Sequence, residues 1–136
     1  MILVDTSVWV AALRSRDGDE AGALMGLLDD DNVALAAPVR IEILSGASQR
    51  ELPRLQRLLS ALPVWYPGRS TWDLATAWIE IASSKGERFG SADLLIGATA
   101  TERGAPVWSL DRDFDRLSRL ELVQIFDPSR SPSSQY

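Results

Sequence analysis

Ile2-Leu3-Val4-Asp5-Thr6-Ser7-Val8-Trp9 is the stretch from which the architecture of the 136-residue chain is read. Ile2, Leu3 and Val4 form a short, continuous apolar run of β-formers, as a strand buried on both faces requires. Asp5-Thr6-Ser7 then offers side-chain oxygens to the free N–H groups of a helix start, and Val8 to Leu13 is apolar enough to be that helix. The segment predicts strand, tight turn and helix.

The same grammar repeats outward from there. Ala23, Leu24, Leu27 and Leu28 recur at helical spacing between Asp19 and Leu28, and the acidic turn Asp29-Asp30-Asp31-Asn32 ends that helix. Val33 to Ala36 is a second apolar strand, after which Pro38 suits the first position of a helix reaching about Ala47. Leu52, Leu55, Leu58, Leu59 and Leu62 stripe a fourth helix, and Val64-Trp65-Tyr66 predicts a short strand. Leu74, Ala75, Trp78, Ile81 and Ala82 mark a helix from about Ser70 to Ser84, closed by Lys85-Gly86. Ser91 is the expected N-cap of a helix that runs to about Arg103 and stops at Gly104. Pro106 to Ser109 predicts a strand, Asp111 to Leu120 a short helix, and Leu122 to Phe126 a last strand. Short buried strands alternating with helices specify an α/β fold with a parallel sheet covered on both faces. Trp9, Trp72, Trp78 and Trp108 fall in apolar patterns and are expected in the core or a dimer interface. The tail, residues 127–136, has the composition of a flexible end.

Composition then narrows the chemistry. With 46% apolar and 24% charged residues, one soluble globular domain is expected, with no run long enough to span a membrane and no secretory leader, hence a cytoplasmic address. There is no cysteine and no histidine, which excludes thiolate and imidazole catalysis, Ser-His-Asp triads and soft-metal sites together. The net charge of -5 argues against gripping nucleic acid by overall positive charge, but not against gripping it through divalent cations set between carboxylate and phosphate oxygens. Lys85 is the single lysine, leaving 13 of the 14 cationic residues to arginine.

In parallel α/β sheets, ligands bind at the carboxyl edge of the strands. Four acids fall there: Asp5 ends the first strand, Glu42 lies in the first turns after the second, Asp93 opens the helix after Phe89-Gly90, and Asp111 follows the strand at Trp108. Each also has a plain structural reading. Asp5 and Asp111 can be N-caps, Asp93 can complement a helix dipole, and Glu42 can be a surface acid. Four like charges converging from separate segments would repel unless a hard cation, Mg²⁺ or Mn²⁺, sat among them. Arg50, Arg54 and Arg57 share one helix face as a candidate phosphate track, and Arg112, Arg116 and Arg119 lie near the fourth acid; a solvated face is the plainer reading of each group.

Taken in order, these motifs resemble the PIN-domain ribonucleases, especially the bacterial VapC-type toxins of toxin-antitoxin pairs. Ile2 to Trp9 resembles their opening, Glu42 with Ile43-Leu44-Ser45-Gly46 the second acidic motif, Asp93 to Ala100 the third, and Ser109-Leu110-Asp111-Arg112-Asp113-Phe114 the fourth, across residues 1–126. Ser109 stands where the family usually has threonine, and Asp113 could share or take over the role of Asp111. The resemblance implies a three-layer PIN-like fold with a central parallel sheet of about five strands, Mg²⁺ or Mn²⁺ dependence and hydrolysis of RNA phosphodiesters. It also implies a homodimer and a cognate VapB-like antitoxin that blocks the site. On that reading Asp5, Asp93 and Asp111 hold metal, Glu42 orients or deprotonates water, and Thr6, Ser7, Ser109 and Asp113 support them. An orphan RNA-processing nuclease and a catalytically silent PIN-like binding module are the alternatives. The haloacid-dehalogenase pattern fails at Ser7, and no Walker or G-x-G-x-x-G loop is present.

Overall fold

Burial of the short apolar runs organises the protein, whose computed structural model describes residues 1–130. The strands are β1 (Ile2–Val4), β2 (Val33–Ala36), β3 (Val64–Trp65) and β4 (Val107–Trp108). Between them lie α1 (Thr6–Arg14), α2 (Asp19–Asp29), α3 (Ala37–Ser45), α4 (Leu52–Ser60), α5 (Arg69–Ser84) and α6 (Ser91–Glu102), and α7 (Arg112–Arg119) follows β4. All strand pairs are parallel, in the order β3-β2-β1-β4. Ile2 pairs with Val33, Leu3 with both Ala34 and Val107, and Val4 with Trp108. Every residue of β1 and β2 is buried, which is why neither strand has a polar alternation.

The strand order fixes where a site can form. From β1 the chain adds β2 and then β3 on one side, then returns to lay β4 on the other side of β1. At such a reversal the connections leaving two adjacent strands diverge, and a crevice opens beyond their carboxyl ends. Here that crevice lies past Val4 and Trp108, and Asp5 and Ser109 are the first residues beyond them.

Two expectations are corrected. The sheet has four strands among the described residues rather than about five: the Leu122 to Phe126 segment makes only an isolated bridge from Ile125 to Val107. Val107 N–H donates to Gln124 O at 2.8 Å and Phe126 N–H to Val107 O at 2.8 Å, but β4 is two residues long and offers no further outward ladder. Gly90, not Ser91, is the N-cap of α6, and no side chain caps that end. Trp9, Trp78 and Trp108 are core residues, while Trp72 is 56% exposed, which leaves an interface of the two places expected for it. Of the expected flexible tail, residues 131–136 lie outside the described residues, while Asp127 and Arg130 approach to 3.8 Å. No helix of the described residues is long and apolar enough to cross a membrane.

α6 is the central helix, buried without interruption from Leu94 to Ala100. Its Gly97 marks the tightest approach: a Cβ there would stand 3.1 Å from Trp78 Cζ3 of α5 and 3.1 Å from Val123 Cγ1. The first turn of α6 carries Asp93, so this packing also sets one wall of the site. Gly97→Val is expected to destabilise the fold by about 1–3 kcal/mol through overpacking. Urea denaturation measures it, and an unchanged midpoint would show that Trp78 and Val123 give way freely.

Candidate metal and phosphodiester site

Asp5 is the joint between the two strands at the crevice. Its N–H donates to Trp108 O at 2.9 Å, carrying the β1–β4 ladder one residue past the strands. Its side chain, 6% exposed, caps α1: Oδ2 accepts the Ser7 N–H at 3.4 Å and the Ser7 hydroxyl at 2.8 Å. The same Oδ2 accepts the Ser109 hydroxyl at 2.8 Å. Each hydroxyl oxygen in turn receives an amide, Leu110 N–H on Ser7 Oγ at 2.9 Å and Asp111 N–H on Ser109 Oγ at 2.9 Å. With both hydroxyl protons directed at Asp5, the 3.2 Å approach of Ser7 Oγ and Ser109 Oγ is close packing within one network. That network orients Asp5 and fixes the start of α7 against the start of α1. Asp5 Oδ1 accepts no hydrogen bond among the described residues.

Asp111 is the N-cap of α7, and its Oδ1 accepts the Asp113 N–H at 2.9 Å. The cap geometry turns the Asp113 side chain toward the same crevice. One carboxylate oxygen from each of Asp93, Asp111 and Asp113 lies within 4.8 Å of the others. Both candidates for the fourth acid are therefore present at the site, and the cap that explains Asp111 locally is also what brings Asp113 in. Asp5 stands beside this trio, close enough for its charge to act on Asp93 and on Glu42.

Asp93 carries the imprint of that crowding. Burial, a hydrogen bond with Asp113 and the negative charges of Asp111, Asp113 and Asp5 push its carboxyl up to about 7. Glu42, on α3, is exposed at the rim, yet partial desolvation and then the Asp5 charge raise its carboxyl above the ordinary range. The neighbouring Thr6 hydroxyl draws it back slightly. Thr6 Oγ1 nevertheless has no partner in hydrogen-bond geometry and is buried. A donor set of carboxylates and hydroxyls with no imidazole or thiolate, together with this orphaned buried oxygen, fits a hard divalent cation and its bound water.

The arginines divide differently. Arg112 is exposed in the first turn of α7, directly beside Asp111 and Asp113. Arg50, Arg54 and Arg57 are exposed on α4 and the turn before it, and Arg54 lines a cleft against α1 and α2. None of the four acids lies on α4. Arg116, read from the sequence as a possible phosphate contact, is engaged with protein groups instead: Asp113, Glu87 and the Arg88 carbonyl. The Asp113 partnership was readable as an i,i+3 pair. Glu87 was not, because it reaches Arg116 from 29 residues away.

The PIN domain family model matches residues 2–120. A VapC ribonuclease of Mycobacterium bovis and ribonuclease VapC11 of Mycobacterium tuberculosis are each 35% identical over 129 residues, spanning 91% of this chain and 96% of the relative. Among solved structures, VapBC2 from Rickettsia felis, bound to a DNA fragment from its promoter, is similar in fold with a TM-score of 0.74 at 21% identity, covering 93% of this chain and 98% of that one.

The raised Asp93 carboxyl has a thermodynamic sign. Between 3.8 and about 7 the folded protein holds a proton that the unfolded chain has released, so stability falls as pH rises through that window. Asp93→Asn keeps the volume and removes the charge. In EDTA it is expected to raise the melting temperature by several degrees at about pH 8 and to lose that gain near pH 4, by thermal unfolding at both values. A variant equally stable to wild type at pH 8 would mean that the crowded charges exert no cost.

Proposed function

The chain belongs to the PIN-domain family, and from that premise we infer that it is an endoribonuclease, the toxin of a toxin-antitoxin pair, which hydrolyses RNA phosphodiester bonds with Mg²⁺ or Mn²⁺. The observation that carries this reading is the convergence of Asp5, Glu42, Asp93, Asp111 and Asp113 at the carboxyl edge of β1 and β4, beside an unpartnered hydroxyl. Asp5, Asp93 and Asp111 would hold the cation, with Asp113 sharing the fourth position. Asp93 would serve as a ligand in its ionised form, and the serine network leaves Asp5 Oδ1 available. When bound, the cation polarises the scissile phosphate and lowers the pKa of water to near neutrality. Glu42, whose raised carboxyl is a stronger base than an ordinary glutamate, orients the attacking water and takes its proton. Thr6 Oγ1 is placed to hold water, and Arg112 to contact a phosphate beside the break.

Ile41, Trp72 and Ile79, exposed by 67%, 56% and 54%, support a homodimer. The cleft between α1, α2 and α4, with Leu13, Met25 and Leu58 on its walls and Arg16 and Arg54 beside them, suits an amphipathic antitoxin segment that carries carboxylates. A pair of this kind works in the cytoplasm.

Incubation of purified protein with total RNA tests the reading. Discrete cuts are expected with Mg²⁺ or Mn²⁺ and none in EDTA. Asp5→Asn and Asp93→Asn are each expected to slow cleavage by roughly 10²–10³-fold, the equivalent of losing several kcal/mol of electrostatic stabilisation. Intact RNA under all conditions would favour a silent binding module. Metal-dependent cutting by a protein with no antitoxin gene beside its own would favour an orphan RNA-processing enzyme.

A further inference from the structure

Arg116 joins the two segments that carry the metal-facing acids. From α7, its Nη1 donates to Asp113 Oδ1 at 2.7 Å. Its Nε donates to Glu87 Oε2 at 3.0 Å, Nη2 also reaches Glu87, and Nη2 donates to the Arg88 carbonyl at 2.9 Å. The guanidinium lies over the Phe89 ring, 4.5 Å from its centroid. Glu87 to Gly90 is the link that leads into α6, whose first turn holds Asp93. One planar side chain therefore ties the entry of the Asp93 helix to the carboxylate of Asp113. Four of its five N–H groups are directed at protein acceptors, which leaves it poorly placed to bind phosphate.

We propose that Arg116 is a positioning residue of the metal site: it anchors Asp113 by one oxygen and clamps the 87–90 link, so that Asp93, Asp111 and Asp113 are held at ligating separation before the cation arrives. The proposal rests on the metal-dependent reading above. Without the clamp the three carboxylates would separate under their own repulsion, and cation binding would have to reassemble them. Lysine cannot substitute, since one ammonium cannot span Asp113, Glu87 and a backbone carbonyl in a single plane while stacking on Phe89.

The sign of the effect separates positioning from plain electrostatics. Arg116 is a positive charge beside a cation site, so if it acted only through its charge, removing it would tighten Mn²⁺ binding. Positioning requires that removing it weaken binding. Mn²⁺ affinity, followed by the loss of the free-ion electron paramagnetic resonance signal, is expected to fall about 10-fold or more in both Arg116→Met and Arg116→Lys. Glu87→Gln, which loosens the clamp from the side away from the acids, is expected to weaken binding less. Hydrogen exchange of the 88–93 amides in metal-free protein is expected to quicken in Arg116→Met while the strand amides stay protected, which separates a released clamp from a failed fold. Wild-type affinity or better in either Arg116 variant overturns the proposal. A wild-type protein that binds no Mn²⁺ overturns the metal-dependent reading itself.

Discussion

Asp5 Oδ2 accepts two hydroxyl protons, from Ser7 and Ser109, while its own amide holds the carbonyl that ends β4. The remainder of the site is arranged around this junction. It binds the residue that follows β1 to the last residue of β4 at the point where the sheet reverses its direction of growth. Because both serine oxygens also accept amides from the segment that opens α7, the cap residue Asp111 has little freedom, and Asp113 follows from the cap. A small set of uncharged hydroxyls thus determines where the negative charges sit.

Those charges are placed against the interest of the fold. A carboxyl held near pH 7 in the folded state and near 4 when unfolded makes folding less favourable at neutral pH, and no lysine or arginine neutralises Asp93 directly. The large buried core pays this cost, with α6 enclosed from Leu94 to Ala100 and β1 and β2 fully covered. Such a trade of stability for pre-assembled like charge is what a cation site demands. Arg116 fits the same logic from outside, holding Asp113 through Oδ1.

The fold was legible where periodicity and capping agreed. β2 was read with its observed bounds because Val33 to Ala36 is apolar throughout and lies between an acidic turn and a proline. The last strand was over-read: Leu122 to Phe126 has the composition of a strand, but strand formation depends on a partner ladder, and β4 offers only one residue's worth. For Trp72 the apolar pattern left core and interface open, and its place on a face of α5 that meets solvent removes the core reading. For the site, Asp5, Asp93 and Asp111 were readable because each stands at a strand exit or a helix start, and Glu42 because it is an acid in a mostly apolar helix just after β2. The choice between Asp111 and Asp113 was not, because a cap residue and its i+2 neighbour reach the same crevice by turn geometry that spacing alone does not express. The contact of Arg116 with Glu87 is set by the packing of α7 on the link before α6 and leaves no local pattern.

The most direct test is an anomalous-scattering map from crystals grown in Mn²⁺ at about pH 8 and at about pH 5, on either side of the Asp93 transition. A manganese peak bounded by Asp5, Asp93 and Asp111 or Asp113 at the higher pH, weakened at the lower, is the predicted result. Crystals at pH 8 with no peak in that crevice, or with manganese bound only elsewhere, would contradict the assignment of these carboxylates as the metal site.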